Sequence, residues 1–296
     1  MNYNDYGTWL REQLGCRAQK ISLNAGFTCP NRDGRVGYGG CTFCNNQTFN
    51  PDYCETQKSV TQQLQEGKEF FAHKYPDMKY LAYFQAYSNT YGDVSHCIDL
   101  YEEALQVPDV VGLVIGTRPD CMPEELLNYF AELNHRTFLI IEYGIESLND
   151  NTLLRINRGH TVADTERAIR LTAERGIRVG GHVILGLPGE SHDELIRQSG
   201  ILAKLPLTTL KLHQLQIIRG TRMHKEWQEH PWPLPSPSVD EYIDLVLDYI
   251  SNLPKSWVFE RFVSSSPEHL LVAPRWGLKN YEFAHLLNAH LCRRHE

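Results

Sequence analysis

Three cysteines, Cys29, Cys41 and Cys44, share the stretch CPNRDGRVGYGGCTFCNN and can offer three thiolates to one inorganic centre. Iron-sulfur cubanes are normally held by four thiolates. A three-cysteine loop without a fourth partner nearby therefore points to a 4Fe-4S cluster with one iron left open to a cofactor or substrate. Gly34, Gly37, Gly39 and Gly40 lie between the first two cysteines, where glycine lets a backbone turn sharply and come close to a bulky centre. The Cys41/Cys44 pair is also a zinc half-site, but structural zinc needs a second pair or a Cys/His partner at matching spacing, and none follows within the next few turns. A disulfide is the weakest reading, because no secretory segment is evident ahead of the loop and bridges are rare in a reducing cytosol. Cys16, Cys54, Cys97, Cys121 and Cys292 are scattered singly without C-x2-C pairing, and most of them read as ordinary buried thiols.

Such a loop needs a scaffold. Short β-branched or aromatic runs at 20–24, 80–85, 110–116, 138–144, 179–186 and 210–218 predict strands. Helical stripes separate them: Val94, Ile98, Tyr101 and Leu105; Leu126, Leu127, Phe130 and Leu133; Leu195, Ile196, Ser199 and Leu202. Ser59 with Gln62, and Ser191 with Glu194, read as capping boxes. Strict alternation demands parallel strands with right-handed crossovers, so the fold class is α/β, either a partial or full barrel or an open doubly wound sheet. A helix near 239–250, a strand-like run at 257–263 and a helix near 281–291 are expected to close the open side.

At 296 residues and 42% hydrophobic content the chain can bury one large core. It shows no leader-like start and no run of about 18 apolar residues, so a soluble, cytoplasmic protein is expected. A net charge of −7 argues against a globally basic nucleic-acid binder but leaves room for a local basic face. The segment 155–178 offers one, with Arg155, Arg158, Arg167, Arg170, Arg175 and Arg178.

In folds of this class the working rim is where strands end and their following loops begin. The unusual polar clusters fall there. The cysteines follow the first run, residues 85–90 (QAYSNT) the second and 117–121 (TRPDC) the third. Glu142 and Glu146 flank the end of the fourth, and the fifth ends in GLPGE at 186–190.

The cysteine loop, with Phe43 ahead of Cys44, resembles that of the radical S-adenosylmethionine (SAM) superfamily. The stretches YLAYFQAYSNTY, GLVIGTRPDCMP, RINRGH, HVILGLPGE and KLHQLQIIRGT resemble its YtqA/YhcC family, a group similar to the radical domain of the elongator catalytic subunit. The match covers about 18–225 and continues more loosely to LLVAPRWG. The resemblance implies a partial (βα)6 TIM-like barrel over 18–225, an N-terminal extension at 1–17 and a small C-terminal α/β extension at 226–296. It also implies a 4Fe-4S cluster, SAM chelated to its open iron, and reductive cleavage to a 5'-deoxyadenosyl radical that abstracts a hydrogen atom. Reduced flavodoxin or ferredoxin would supply the electron, and a tRNA wobble uridine would be the substrate. A small metabolite or peptide is the alternative substrate, and a zinc-stabilised binding module the alternative of another class.

SAM carries a carboxylate, an ammonium, a ribose diol and an adenine. Arg158 is assigned the carboxylate, since a guanidinium fork matches it and the position is in register with the SAM-binding arginine of the similar coproporphyrinogen enzymes; the alternative is a helix-surface arginine. Glu146 is favoured over Glu142 for the ribose hydroxyls or the ammonium, with the other left as an ion-pair partner for Arg118. Where the superfamily usually has GGE, this chain has YFQAYSNTY, so backbone carbonyls and Gln85 or Asn89 are left to hold the amino group. The adenine is expected against Ile184 and Gly186, with Ile217 opposite. His182 replaces the first glycine of the superfamily's GxIxGxxG and becomes a candidate catalytic ring. His213 shares that interior only if Leu215 and Ile217 do. Cys121 is the candidate hydrogen-atom donor at the mouth.

Overall fold

The computed structural model describes residues 3–48, 50–72, 77–232 and 238–294. A short strand β1 (Asn4–Asp5) leads into α1 (Tyr6–Leu14), which Asp5 caps through the Thr8 N–H and Gly15 ends in the left-handed conformation. Six strand–helix units follow. They are β2 (Ala18–Leu23) with α2 (Val60–Ala72), β3 (Lys79–Phe84) with α3 (Val94–Gln106), and β4 (Val110–Thr117) with α4 (Glu124–Asn134). Next come β5 (Phe138–Glu146) with α5 (Asp150–Arg155) and α6 (Val162–Glu174), β6 (Arg178–Leu185) with α7 (His192–Leu202), and β7 (Thr209–Gln214), which leads through β8 (Ile217–Ile218) to α8 (Arg222–Glu229). The chain continues through α9 (Val239–Ser251), β9 (Val258–Arg261), β10 (Leu271–Ala273) and α10 (Asn280–Arg294).

Among the described residues the main sheet has eight strands in the order β1-β9-β7-β6-β5-β4-β3-β2, every neighbouring pair parallel. The sheet curls so far that Lys20 on β2 reaches Glu260 on β9 at 2.5 Å, although those strands stand at or near opposite ends of the order. The result is a partial TIM-like half-barrel. The run at 257–263 supplies β9, which enters the main sheet between β7 and β1. The run at 210–218 is not one strand: after Gln214 the chain leaves the sheet, and β8 pairs antiparallel with β10. The Leu215 N–H still donates to the Leu185 carbonyl of β6 at 2.9 Å, while Gln214 and Gln216 both donate to the Ser264 carbonyl, 3.0 and 3.2 Å, which ties the turn to the segment after β9.

Strand alternation sorts the side chains into two layers. Ile21, Leu23, Ala82, Phe84, Leu113, Ile115, Leu139, Ile141, Val183, Leu210 and Leu212 face the surrounding helices. Leu81, Tyr83, Val114, Phe138 and Ile140 face the lumen, where Tyr6 and Leu10 of α1 plug the bottom of the barrel. Because Glu142 follows Ile140 by two residues, and Lys20, His182, Lys211 and His213 occupy equivalent inward positions, the same period that builds the core also charges its upper part. The α2 layer approaches so closely that a Cβ on Gly67 would lie 2.3 Å from Ile21.

Helix caps follow local chemistry. Ser59 and Gln62 form the reciprocal box at 3.1 Å in both directions. Ser191 accepts from the Glu194 N–H, but the Glu194 carboxylate turns to Arg197 at 2.7 Å and Asn149 at 2.6 Å, so only half of that box forms. A guanidinium and an amide outcompete one backbone N–H for the carboxylate. Among the described residues no helix is long and apolar enough to cross a membrane.

Candidate active site

The inward residues and the strand-end loops enclose a cavity of about 600 Å³. Its top is the cysteine loop. Cys29 and Cys41 are buried and Cys44 half-buried, and all three line the cavity. Gly39 and Gly40 both have φ of +76°, so two successive left-handed residues turn the chain into Cys41, a path that side chains resist. The loop is tied down by the Thr42 N–H to the Ile156 carbonyl and the Met223 N–H to the Thr42 carbonyl, 2.9 Å each.

The donor set around the thiols fits an anionic, thiolate-ligated centre. Arg158 Nη1 lies 3.6 Å from Cys41 Sγ, Asn31 Nδ2 3.7 Å from the same sulfur, and Arg118 Nη1 4.0 Å from Cys29 Sγ. Two buried guanidiniums thus stand ready to offset negative charge. Ser88 lines the same cavity with a buried hydroxyl that has no hydrogen-bond partner, a gap that a polar ligand would fill. Among the described residues no three His, Cys, Asp or Glu side chains are placed to hold a single metal ion, as a mononuclear zinc site would require.

Arg158 is buried and not on a helix surface. It follows α5 after Asn157, whose φ of +53° redirects the chain. Its Nη2 donates to the Gly144 carbonyl at 2.7 Å and lies 3.3 Å from Glu146, while Nε donates to His160 Nε2 at 3.0 Å. His160 must therefore accept as a neutral ring. Burial, reinforced by Arg158 and Arg118, pushes its pKa down to about 3. Glu146 itself stands at φ +64° beside a bulge in the β5–β6 register, which turns its carboxylate toward Arg158. A Cβ on Gly144 would sit 2.6 Å from both Arg158 Nη2 and Glu146 Oε1, so any larger residue there would push those two groups apart.

Below this layer lies a buried charge network. Glu142 receives Lys20 at 2.8 Å, Lys211 at 2.8 Å and His182 Nε2 at 2.9 Å, and Glu260 joins the two lysines at 2.5 and 3.2 Å. Tyr83 accepts from Lys211 Nζ at 3.0 Å and stacks its ring under both ammoniums. Burial pushes the Glu142 carboxyl up, but Lys20 and Lys211 outweigh it and hold the group well below the usual carboxylate range. Burial lowers Lys211 despite its acids, whereas for Lys20 Glu142 and Glu260 overcome burial and raise it. His182 is lowered by burial and then by Lys211. Since a carboxylate only accepts, His182 Nε2 carries the proton and Nδ1 keeps its lone pair. The His213 ring lies tilted against it, centroids 5.5 Å apart, and bonds Ser264.

The structure brings Gln85, Glu142, Glu146, Arg158, His182, Ile184 and the three cysteines to one cavity wall, and leaves other expected residues off it. Asn89 spends its amide on the Phe84 and Gly116 carbonyls at 3.1 and 2.7 Å, bracing β3 against β4. Cys121 is sealed behind the rim, and burial pushes its thiol up to about 12, so it is not at the mouth. Gly186 forms the turn after β6 with φ of +95°. Ile217 packs with Leu153, Leu187 and Met223 after the chain leaves the sheet; Leu215 and His213 face the cavity without it. Arg118 pairs with Asp120 at 2.8 Å, and not with Glu142 or Glu146. Lys20, Lys211, Glu260, Tyr83 and Ser88 were not singled out from sequence. Lysines at inward positions of otherwise apolar strands were the available signal.

Comparison with known proteins agrees with this geometry. The radical SAM superfamily family model matches residues 28–197 and the radical SAM C-terminal domain matches 207–293. YtqA of Bacillus subtilis is 35% identical over 99% of this chain and 90% of its own length, and YhcC of Escherichia coli 35% over 92% and 87%. A tRNA uridine(34) acetyltransferase of Dehalococcoides mccartyi is 28% identical over 64% of this chain and 43% of its own length. The solved Elp3 of Methanocaldococcus infernus superposes with a TM-score of 0.70 at 19% identity, covering 94% of this chain, which spans 63% of that one. The superfamily uses a 4Fe-4S cluster and SAM, and the three thiols, the buried arginines and the half-barrel meet those needs. The chain belongs to the radical SAM superfamily, in the family of YtqA and YhcC.

Proposed function

We propose that this radical SAM enzyme acts on the side chain of a tRNA wobble uridine, with residues 18–225 as the catalytic barrel and 226–296 completing its wall. When bound, the cluster and SAM supply a 5'-deoxyadenosyl radical for hydrogen abstraction. Cys29, Cys41 and Cys44 hold the cluster. Arg158 takes the SAM carboxylate while keeping its bond to Gly144, Glu146 receives the ribose hydroxyls or ammonium, and Gln85 and Ser88 serve the amino group. Ile184 backs the adenine. His182, fixed with Nδ1 as acceptor by Glu142, accepts or returns a proton in the lumen. Reduced flavodoxin or ferredoxin in the cytoplasm delivers the electron.

The observation that carries the reading is the vertical order of one cavity: thiols at the top, Arg158 and Glu146 beneath them, and a charged lumen below. The tRNA substrate is supported by the relative named as a tRNA uridine(34) acetyltransferase, which aligns with 64% of this chain at 28% identity. The test has two parts. Anaerobic protein should bind close to four irons and release 5'-deoxyadenosine from SAM on reduction, and Cys29→Ala, Cys41→Ala or Cys44→Ala should abolish this. Nucleoside analysis of tRNA from cells lacking the protein should show an accumulated wobble-uridine precursor. An unchanged nucleoside profile, with no tRNA binding by the pure protein, would move the substrate to a small metabolite or peptide.

A further inference from the structure

The arginine-rich segment 155–178 is the obvious basic face in the sequence, yet its members are individually engaged. Arg167 pairs with Asp164 at 2.6 Å, Arg155 with Glu226, Arg175 bonds the Leu171 carbonyl, and Arg178 lies over the Phe138 ring. A different surface stands open at the cavity mouth. Between Cys29 and Cys41 the chain forms a small hairpin, closed by an antiparallel bridge from Asp33 to Tyr38. Tyr38 is 77% exposed. Arg32 and Arg35 are exposed too, and each guanidinium lies over a tyrosine from the loop after β3, Arg32 over Tyr87 at 5.4 Å and Arg35 over Tyr91 at 5.6 Å.

The hairpin is held rigidly. Asn157 Nδ2 donates to the Gly40 carbonyl at 2.8 Å, and Asn31 reaches back to the Asn157 carbonyl. Val36 packs so closely that a Cβ on Gly159 would lie 2.8 Å from it, and the Tyr38 ring covers Gly34 within 2.6 Å of where a Cβ would stand. Arg222 donates to the Gly40 carbonyl at 3.3 Å and adds a third exposed guanidinium at the base. Asp33 accepts from the Arg35 backbone N–H at 3.2 Å and also meets the Tyr91 hydroxyl. Arg32 and Tyr87 also line the cavity, so the platform runs without a break into the mouth.

We infer that this hairpin is a docking platform for single-stranded RNA: Tyr38 stacks an unpaired base, Arg32 and Arg35 take backbone phosphates, and the strand is led past Tyr87 into the cavity. The inference rests on the tRNA reading above. Rigid rings interleaved with arginines are what a splayed loop of bases and phosphates requires. Continuity with the cavity favours a substrate over an electron-donor protein, which has no need to enter it.

The test uses full-length, cluster-loaded protein and a synthetic anticodon stem-loop with uridine at the wobble position, followed by fluorescence anisotropy. Tyr38→Ala should weaken binding roughly five- to a hundred-and-fiftyfold, the range for losing one base–ring stack, while Tyr38→Trp keeps it. Arg35→Gln should flatten the slope of log affinity against log salt by about 0.7, the single-strand value per phosphate. A blunt RNA duplex should be insensitive to Tyr38→Ala. If wild-type protein binds the stem-loop and Tyr38→Ala binds it equally, the platform is wrong and the tRNA reading stands. If wild-type protein does not bind it at all, both fall. If the variants keep RNA binding but slow SAM cleavage driven by reduced flavodoxin and not by dithionite, the surface belongs to the electron donor and the inference is overturned.

Discussion

Arg158 concentrates more of the site's logic than any other side chain. Its guanidinium spans the Cys41 sulfur, the Gly144 carbonyl, Glu146 and the neutral ring of His160. A lysine could supply the charge but not these directions, because its ammonium is a compact point on a flexible stem. Arg158→Lys should therefore weaken SAM binding by ~1–3 kcal/mol, the worth of a charge-assisted hydrogen bond, while iron content stays at the wild-type level. Equilibrium binding of SAM to the anaerobically loaded variant measures this, and unchanged affinity in Arg158→Ala would place the carboxylate elsewhere. His182 and Cys121 show why residue type alone misleads. Both are chemically able, yet one stands on the cavity wall with a fixed tautomer and the other is sealed behind the rim.

At the scale of elements, the end of β5 does the positioning. The bulge and the left-handed Glu146 bring two opposite charges over a residue that has no room for a methyl group. Gly144→Ala should leave the far-UV spectrum and cluster content intact but cut SAM cleavage by at least tenfold, because Arg158 and Glu146 must separate to admit the Cβ; wild-type turnover in that variant would show that their contact is dispensable. The cysteine loop and the strand–helix alternation were legible in the sequence because their signals are local: glycines beside thiols, β-branched runs and apolar stripes. The Lys20–Glu142–Lys211–Glu260 network was not, because its members lie far apart in the chain, on the four strands β2, β5, β7 and β9, and only the register of the sheet decides that all face inward. The Arg118 partner was missed for a different reason: it is local, two residues on in a tight turn, and not on the facing strand. In the sixth run the hydrophobic pattern continues through the point at which the chain leaves the sheet.

Among the described residues, three interior histidines are held below their ordinary pKa. His160 is held down at about 3, His182 is lowered, and His213 is pushed well below its ordinary value by burial. In the unfolded chain each would titrate near 6.5, so unfolding takes up protons below that pH. Their contribution to stability is complete above about pH 6.5 and is lost as pH falls toward the folded values, with a slope of up to ~1.4 kcal/mol per pH unit per group. Urea midpoints of the cluster-loaded protein between about pH 7.5 and 5 should fall accordingly, and His160→Gln, which can still accept from Arg158, should remove one group's share of the slope. An unaltered slope would mean that His160 is protonated in the fold. The place of β9 has a consequence in time. The wall strand beside β7, and the Glu260 that balances Lys20 and Lys211, arrive from the ribosome roughly two hundred residues after Cys44, about 10–40 s later at the usual 5–20 residues per second. During that interval the thiols are already outside the tunnel while the chamber beneath them still lacks the strand and the carboxylate that complete it.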